Sequence, residues 1–181
     1  MMKLLTNCVL LALLTLTATV YAEKADRDKP AVIDADRATH NEATQLQIFE
    51  GNVILTKGTL VIKANRIESR LDLEGYQQTV AIGAAGKPAT YQQKRDGLDE
   101  TVSAEALNLT FDGKADTITL TDQAIVRRYA KGVLQDESRG AVIKYNNQPD
   151  YYEVKSGPTS SFALGRVRMT LAPRNPPAAP K

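Results

Sequence analysis

Few side chains in this 181-residue chain are able to do chemistry: one cysteine, Cys8, one histidine, His40, and 21 acidic residues spread along the length. A metal centre needs His, Cys or carboxylate ligands at short fixed spacings, and none surrounds His40. A Ser-His-Asp hydrolase would have to use His40 with a serine in a Gly-x-Ser-x-Gly turn, which the sequence lacks. Asp34 and Asp36 stand two apart and would share one face of a strand, as paired carboxylates do for acid–base work on glycosides; a solvated strand face is the plainer reading. Gly83-Ala84-Ala85-Gly86-Lys87-Pro88 matches a phosphate loop only in part. Ala81 stands where the first glycine is needed and Pro88 where a hydroxyl belongs, so the segment reads as a turn before a strand beginning near Ala89. The 23 basic residues barely exceed the acidic ones, giving a net charge of +2 and no basic footprint for nucleic acid. Arg127-Arg128 and Lys94-Arg95 read as solvated surface pairs, and the absence of Trp weighs against carbohydrate stacking. No cofactor and no enzymatic activity are expected. What remains to carry function is apolar.

The apolar residues fall in period two. Val53 and Leu55 alternate with Asn52, Ile54 and Thr56; Leu60, Ile62 and Ala64 with Val61, Lys63 and Asn65; Leu107, Leu109 and Phe111 with Asn108 and Thr110. The same pattern covers residues 117–120, 124–128, 141–145 and 167–171, so these segments are predicted strands. Residues 101–110 contain the best helix formers, Ala104 to Leu107, but the alternation continues to Phe111 and predicts strand there too. Gly and Asx turns at Lys57-Gly58, Leu73-Glu74-Gly75, Asp96-Gly97, Asp112-Gly113, Lys131-Gly132 and Asn146-Asn147 imply successive antiparallel hairpins. An internal echo sets residues 49–55 (Phe-Glu-Gly-Asn-Val-Ile-Leu) against residues 120–126 (Leu-Thr-Asp-Gln-Ala-Ile-Val). Tetrads beginning at Ala35, Ala64, Ala104 and Gly140 repeat more loosely, each leading into a strand. The expected architecture is an all-β stack of hairpins in which no unit buries an apolar face alone. Such a domain closes as a filled sandwich or leaves its inner faces apart as a groove.

The two ends differ from this middle. Lys3 followed by an apolar run to Val20 and the small-residue site Val20-Tyr21-Ala22 reads as a secretory signal over residues 1–22, which places the mature chain outside the cytoplasm and free of cysteine. Residues 23–30 carry six charges of both signs and read as a solvated arm. Residues 172–181 hold four of the eight prolines and read as an extended tail. The folded domain is expected over residues 31–171.

The stretch from Phe49 to Ile67, Phe-Glu-Gly-Asn-Val-Ile-Leu-Thr-Lys-Gly-Thr-Leu-Val-Ile-Lys-Ala-Asn-Arg-Ile, closely resembles the OstA-like (LptA) family of periplasmic lipopolysaccharide-transport proteins. Ile33-Asp34-Ala35-Asp36, Gly86-Lys87-Pro88-Ala89-Thr90-Tyr91 and Gly165-Arg166-Val167 agree in order, so the resemblance spans residues 30–171. Asp122-Gln123 departs from the second Gly-Asn of the motif, which suggests a different turn there.

The resemblance implies an antiparallel, twisted, V-shaped open β-jellyroll in the periplasm that binds the acyl chains of lipid A, the membrane-embedded part of lipopolysaccharide. It further implies head-to-tail self-association between an LptC-type inner-membrane partner and an LptD/LptE-type outer-membrane translocon. On this reading the trough is lined by Ile33, Phe49, Val53, Leu55, Leu60, Ile62, Tyr91, Leu107, Leu109 and Phe111. Ile33 and Tyr91 match interior positions of the family motif, and the Tyr91 hydroxyl is expected to meet a headgroup or water. The edge strands for partners are expected at Ala31, Val32 and Ile33 and at Val167, Met169 and Leu171. The alternative is an adhesin-like structural β-sandwich that assembles by strand pairing and binds no lipid.

Overall fold

A computed structural model of the chain describes residues 26, 29–95, 98–146 and 151–173. The expected signal segment, most of the charged arm, the tail beyond residue 173, the Asp96-Gly97 turn and Asn147 lie outside the described residues.

Among the described residues, twelve antiparallel strands make up the fold. They are β1 (Ala31–Asp34), β2 (Arg37–Asn41), β3 (Leu46–Lys57), β4 (Leu60–Leu71), β5 (Gln77–Ile82), β6 (Ala89–Lys94), β7 (Glu100–Ala106), β8 (Asn108–Asp112), β9 (Thr117–Ala130), β10 (Val133–Asn146), β11 (Tyr151–Lys155) and β12 (Arg168–Leu171). The four long strands β3, β4, β9 and β10 each serve two sheets. The early part of β3 pairs with β2 and its later part with β1; β4 pairs first with β6 and then with β5. In the same way β9 pairs with β8 and then β7, while β10 pairs with β12 and then β11. One sheet is therefore β1-β3-β4-β6-β7-β9-β10-β12 and the other β2-β3-β4-β5-β8-β9-β10-β11. This is the all-β open jellyroll expected of the chain.

The crossing of β3 and β9 between sheets has a local cause. Gly51 (φ 78°) and Asn52 (φ 45°) are consecutive left-handed residues in β3, and Asp122 (φ 65°) and Gln123 (φ 56°) are their counterparts in β9. Each pair sits where the ladder loses register, between Glu50 and Val53 and between Thr121 and Ala124. A bulge of this kind bends the strand and re-aims the side chains beyond it. Asp122-Gln123 thus makes the same corner as Gly51-Asn52, contrary to the different turn its sequence suggests.

The internal echo is a structural repeat. Ile33 opposes Leu55 in the first half, and Ala104 opposes Val126 in the second, each 71 positions later. Asp36 N donates to the Gly51 carbonyl at 3.0 Å, and Leu107 N to the Asp122 carbonyl at 2.9 Å, again at that offset. Because Leu107 occupies this corner, residues 101–111 are not one strand: β7 ends at Ala106 and β8 begins at Asn108 in the other sheet.

Small side chains mark the line where the sheets converge. Ala89, Ala106 and Ala124 are fully buried there, and Val53 is 1% exposed. Gly140 completes the line, since a Cβ would lie 2.7 Å from the Lys155 carbonyl oxygen. Larger residues at these points would hold the sheets apart at their closest approach.

Candidate functional site

Cross-strand register sets the inner faces in continuous rows. In the first sheet, Ile33, Leu55, Ile62, Tyr91, Ala104, Val126, Ser138 and Met169 stand opposite one another in turn from β1 to β12. The facing row of the second sheet runs Ala38, Phe49, Ile67, Ala81, Leu109, Leu120, Ile143 and Val154. Farther from the line of convergence, a third row passes from polar to apolar: His40, Gln47, Ser69, Thr79, Phe111, Ile118, Tyr145 and Tyr152.

Between the sheets these rows leave a cavity of about 250 Å³, partly open to solvent. Leu55, Leu60, Ile62 and Tyr91 wall it from the first sheet, and Ala81, Leu109, Phe111 and Ile118 from the second. Small-molecule sites begin near 300 Å³ in volume, so a space of this size takes a length of hydrocarbon chain rather than a whole lipid. Six of the ten residues expected in the trough line this cavity: Leu55, Leu60, Ile62, Tyr91, Leu109 and Phe111.

The other four do not. Val53 is packed into the core where the sheets meet. Ile33 and Phe49, near the β1/β2 end of their rows, are half-buried and pack against the core. Leu107 sits at the corner, half-exposed, because the alternation that placed it beside Leu109 is broken by the crossing between sheets.

The lining also has polar members that apolar periodicity does not reveal. Gln77 and Thr79 line the cavity; Thr79 and its buried neighbour Ser69 have their hydroxyls 3.2 Å apart, and Gln77 Nε2 donates to Ser69 and Thr79 at 3.0 and 3.3 Å. The Tyr91 hydroxyl donates to Gln93 Oε1 on its own strand, so its partner belongs to the protein. Asp26, expected in a solvated arm, is only 8% exposed and lines the cavity beside Lys57 and Gln93. Burial pushes the Asp26 carboxyl up, but hydrogen bonds from Thr59, Gln93 and Leu60 outweigh it and hold the group below its ordinary value.

Around the trough the walls are tied by ion pairs. Arg127 on β9 bridges Glu105 on β7 at 2.9 Å and Glu137 on β10 at 2.7 Å. Arg128 bridges Glu100 at 2.8 Å and Asp136 at 2.5 Å. Consecutive residues on a strand point to opposite faces, so the two arginines clamp β7, β9 and β10 from both sides. Sequence alone marked them as solvated. Hydrogen bonds from Arg139 and Arg127 hold the Glu137 carboxyl below its ordinary value.

Of the other sequence candidates, His40 lies on the exposed edge strand β2, and no group of three or more His, Cys, Asp or Glu side chains suited to a metal ion occurs among the described residues. Asp36 holds the first corner, its Oδ2 accepting from Asn52 Nδ2 at 3.0 Å. The Gly83–Lys87 segment is a turn closed by mutual hydrogen bonds of Ala84 and Lys87, as expected. Ala31, Val32 and Ile33 lie in β1 and Met169 and Leu171 in β12; each of these strands has one hydrogen-bonded neighbour and forms an end of the first sheet. Val167 directly precedes β12.

Fold and site together define an open β-jellyroll whose two sheets enclose an apolar trough. A family model described as "LptA/(LptD N-terminal domain) LPS transport protein" matches residues 32–151. The chain belongs to that family. It is 29% identical over 171 residues to the lipopolysaccharide export system protein LptA of Haemophilus influenzae, covering 93% of this chain and 92% of the relative. It is also 29% identical over 136 residues to LptA of Escherichia coli K12, covering 75% and 72%. The crystal structure of LptH, the LptA-homologous periplasmic component of the lipopolysaccharide transport device of Pseudomonas aeruginosa, superposes with a TM-score of 0.67 at 23% identity, covering 82% of this chain and 99% of that one.

Proposed function

We propose that this protein is a periplasmic, non-enzymatic lipopolysaccharide carrier that holds lipid A acyl chains in its trough during outer-membrane assembly. The observation that carries the reading is the cavity between Leu60 and Ile62 on one sheet and Leu109 and Phe111 on the other, partly open to solvent and walled mainly by hydrocarbon. A filled sandwich, the architecture of the adhesin-like alternative, would have closed that space.

Energetics favour a covered route. Each methylene kept out of water is worth about 0.8 kcal/mol, so one chain of roughly a dozen carbons crossing water unaided would meet a barrier near 10 kcal/mol. An apolar trough removes most of that barrier without any reacting group.

The ends of the sheets suit head-to-tail extension. β1 and β2 end the two sheets on one side and β12 and β11 on the other, leaving backbone donors and acceptors of four strands available for pairing. Val32, Met169 and Leu171 are 56%, 46% and 61% exposed on these strands. Pairing of one copy's β11/β12 end with the next copy's β1/β2 end is heterologous and continues the trough. An LptC-type partner would take one end of the resulting bridge and an LptD/LptE-type translocon the other.

The direct test is to recover the protein from periplasm and measure copurifying lipid by mass spectrometry. Lipid A species should accompany the native protein and be depleted in Ile62→Asp. Recovery of the folded native protein without lipid A from cells exporting lipopolysaccharide would overturn the proposal.

A further inference from the structure

The carboxylate of Asp26 lines the trough in a cradle of donors. Its Oδ1 accepts from the Thr59 N–H at 3.0 Å, and its Oδ2 from the Thr59 hydroxyl at 2.6 Å and from Gln93 Nε2 at 2.9 Å. Gly58 makes the space: its φ is +58°, and a Cβ there would lie 1.9 Å from Asp26 Oδ1. With the Leu60 backbone N–H, four donors converge on one carboxylate beside a backbone position without a side chain, which has the form of a small anion site. The same cavity is walled by Leu60 and Ile62 and also bordered by Lys57 and by a second carboxylate, Asp116. An anion site in the wall of an apolar groove matches an amphiphile, with the chain along the leucine and isoleucine and the charged end at the cradle.

We propose that this cradle is a subsite for the oxyanion of an amphiphile, a phosphate or carboxylate joined to an acyl chain, and that Asp26 fills it intramolecularly until such a ligand takes its place. The inference rests on the trough being the lipid path. Two oxyanions do not share one set of donors a few ångströms apart, because each destabilises the other's charged form. Ligand entry therefore requires Asp26 to leave. The tethered carboxylate acts as a competitor, and the apparent affinity for the ligand is reduced by the fraction of molecules in which Asp26 is docked.

The test titrates the purified protein with decyl phosphate, decanoate and decanol, following by NMR the Thr59 amide, the Gln93 side-chain amide and the methyl groups of Leu60 and Ile62. The charged amphiphiles should shift cradle and methyl signals together and bind about tenfold tighter than decanol, and their ranking identifies phosphate or carboxylate as the preferred group. Asp26→Ala should tighten binding of the charged amphiphiles about three- to tenfold and leave decanol unchanged. Thr59→Val, or Gln93→Leu should the first variant fail to fold, should weaken only the charged ligands. If all three compounds shift the methyl signals with equal affinity, or if Asp26→Ala binds decyl phosphate no tighter than the native chain, the cradle is refuted and the trough stands. If none shifts the Leu60 or Ile62 methyls, the trough reading fails, and the cradle with it.

Discussion

Asn52 donates its Nδ2 to the Asp36 carboxylate at 3.0 Å, across the corner where β3 passes from one sheet to the other. The backbone closes the same corner from Asp36 N to the Gly51 carbonyl. Seventy-one positions later Leu107 and Asp122 repeat the backbone bond. The two corners let strands of twelve and fourteen residues serve both walls of the trough, so the trough's shape depends on them.

Gly51 is the residue at which the first corner is most vulnerable. Its φ of +78° disfavours any side chain, and a Cβ would stand 2.1 Å from Asp36 Oδ2. Gly51→Ala should therefore lower stability by about 2–3 kcal/mol, combining a left-handed backbone penalty with displacement of the carboxylate. At the second corner Gln123, with φ +56°, already bears that backbone penalty, and Gln123→Gly should be neutral or stabilising by about 0.5 kcal/mol. Urea midpoints of the two variants check the pair of opposite signs.

Adjacent positions on β4 should report opposite environments. Leu60 and Ile62 wall the trough, whereas Val61 and Lys63 border a polar depression on the outer face with Thr90, Gln92 and Arg127. A photocrosslinking residue introduced at each position, in cells making lipopolysaccharide, should yield lipid adducts at 60 and 62 and none at 61 and 63. Equal labelling at all four would remove the trough from the transport path.

Head-to-tail pairing should respond to proline on β12. Successive residues of an edge strand direct their N–H groups alternately toward the neighbouring strand and toward solvent. Of Met169→Pro and Thr170→Pro, one should retain the native melting temperature yet lose concentration-dependent association in sedimentation. The other removes a ladder bond to β10 and should lower the melting temperature. Native protein that sediments as a monomer at every concentration would refute end-to-end assembly.

The ion-pair clamp should make stability pH-dependent. Glu137 is held below its ordinary value of 4.5 by Arg139 and Arg127, so the folded state binds fewer protons than the unfolded one around that value. Its contribution is fully present above pH 4.5 and is lost as pH falls through the depressed folded value. Thermal melts between pH 7 and pH 3 should show a steeper acid loss for the native chain than for Glu137→Gln. Arg127→Ala should cost about 1–2 kcal/mol at pH 7, after allowance for its partial exposure.

Much of the fold is legible in residue order because the long strands bury one face. Alternation at Val53–Leu55, Leu60–Ala64 and Leu109–Phe111 marks strands that the structure contains, and the echo of residues 49–55 in 120–126 is a structural repeat at the same offset. The edge strand β2, Arg-Ala-Thr-His-Asn, is exposed at every position and so carries no alternation to read. Period two sets Leu107 beside Leu109 because it assumes an unbroken strand, and the chain turns a corner there. Arg127 and Arg128 look solvated until strand pairing brings their partners on β7 and β10 alongside. Nothing in the pattern of residues 23–30 announces that Asp26 docks against Thr59 and Gln93.

Residue order by itself determined the all-β class, the inward-facing Val53, Leu55, Leu60 and Ile62 of β3 and β4, and the family, because side-chain alternation and short motifs are local properties of the chain. Only the tertiary structure decided which inward residues close the core and which wall a space. Val53 and Leu55 are both apolar, both inward and two apart on one strand, yet Val53 belongs to the line of convergence and Leu55 to the trough. The difference is distance from the corner: the sheets separate as the strands leave it, and that divergence is set by a bulge and by pairings between different strands, which no local run of residues contains.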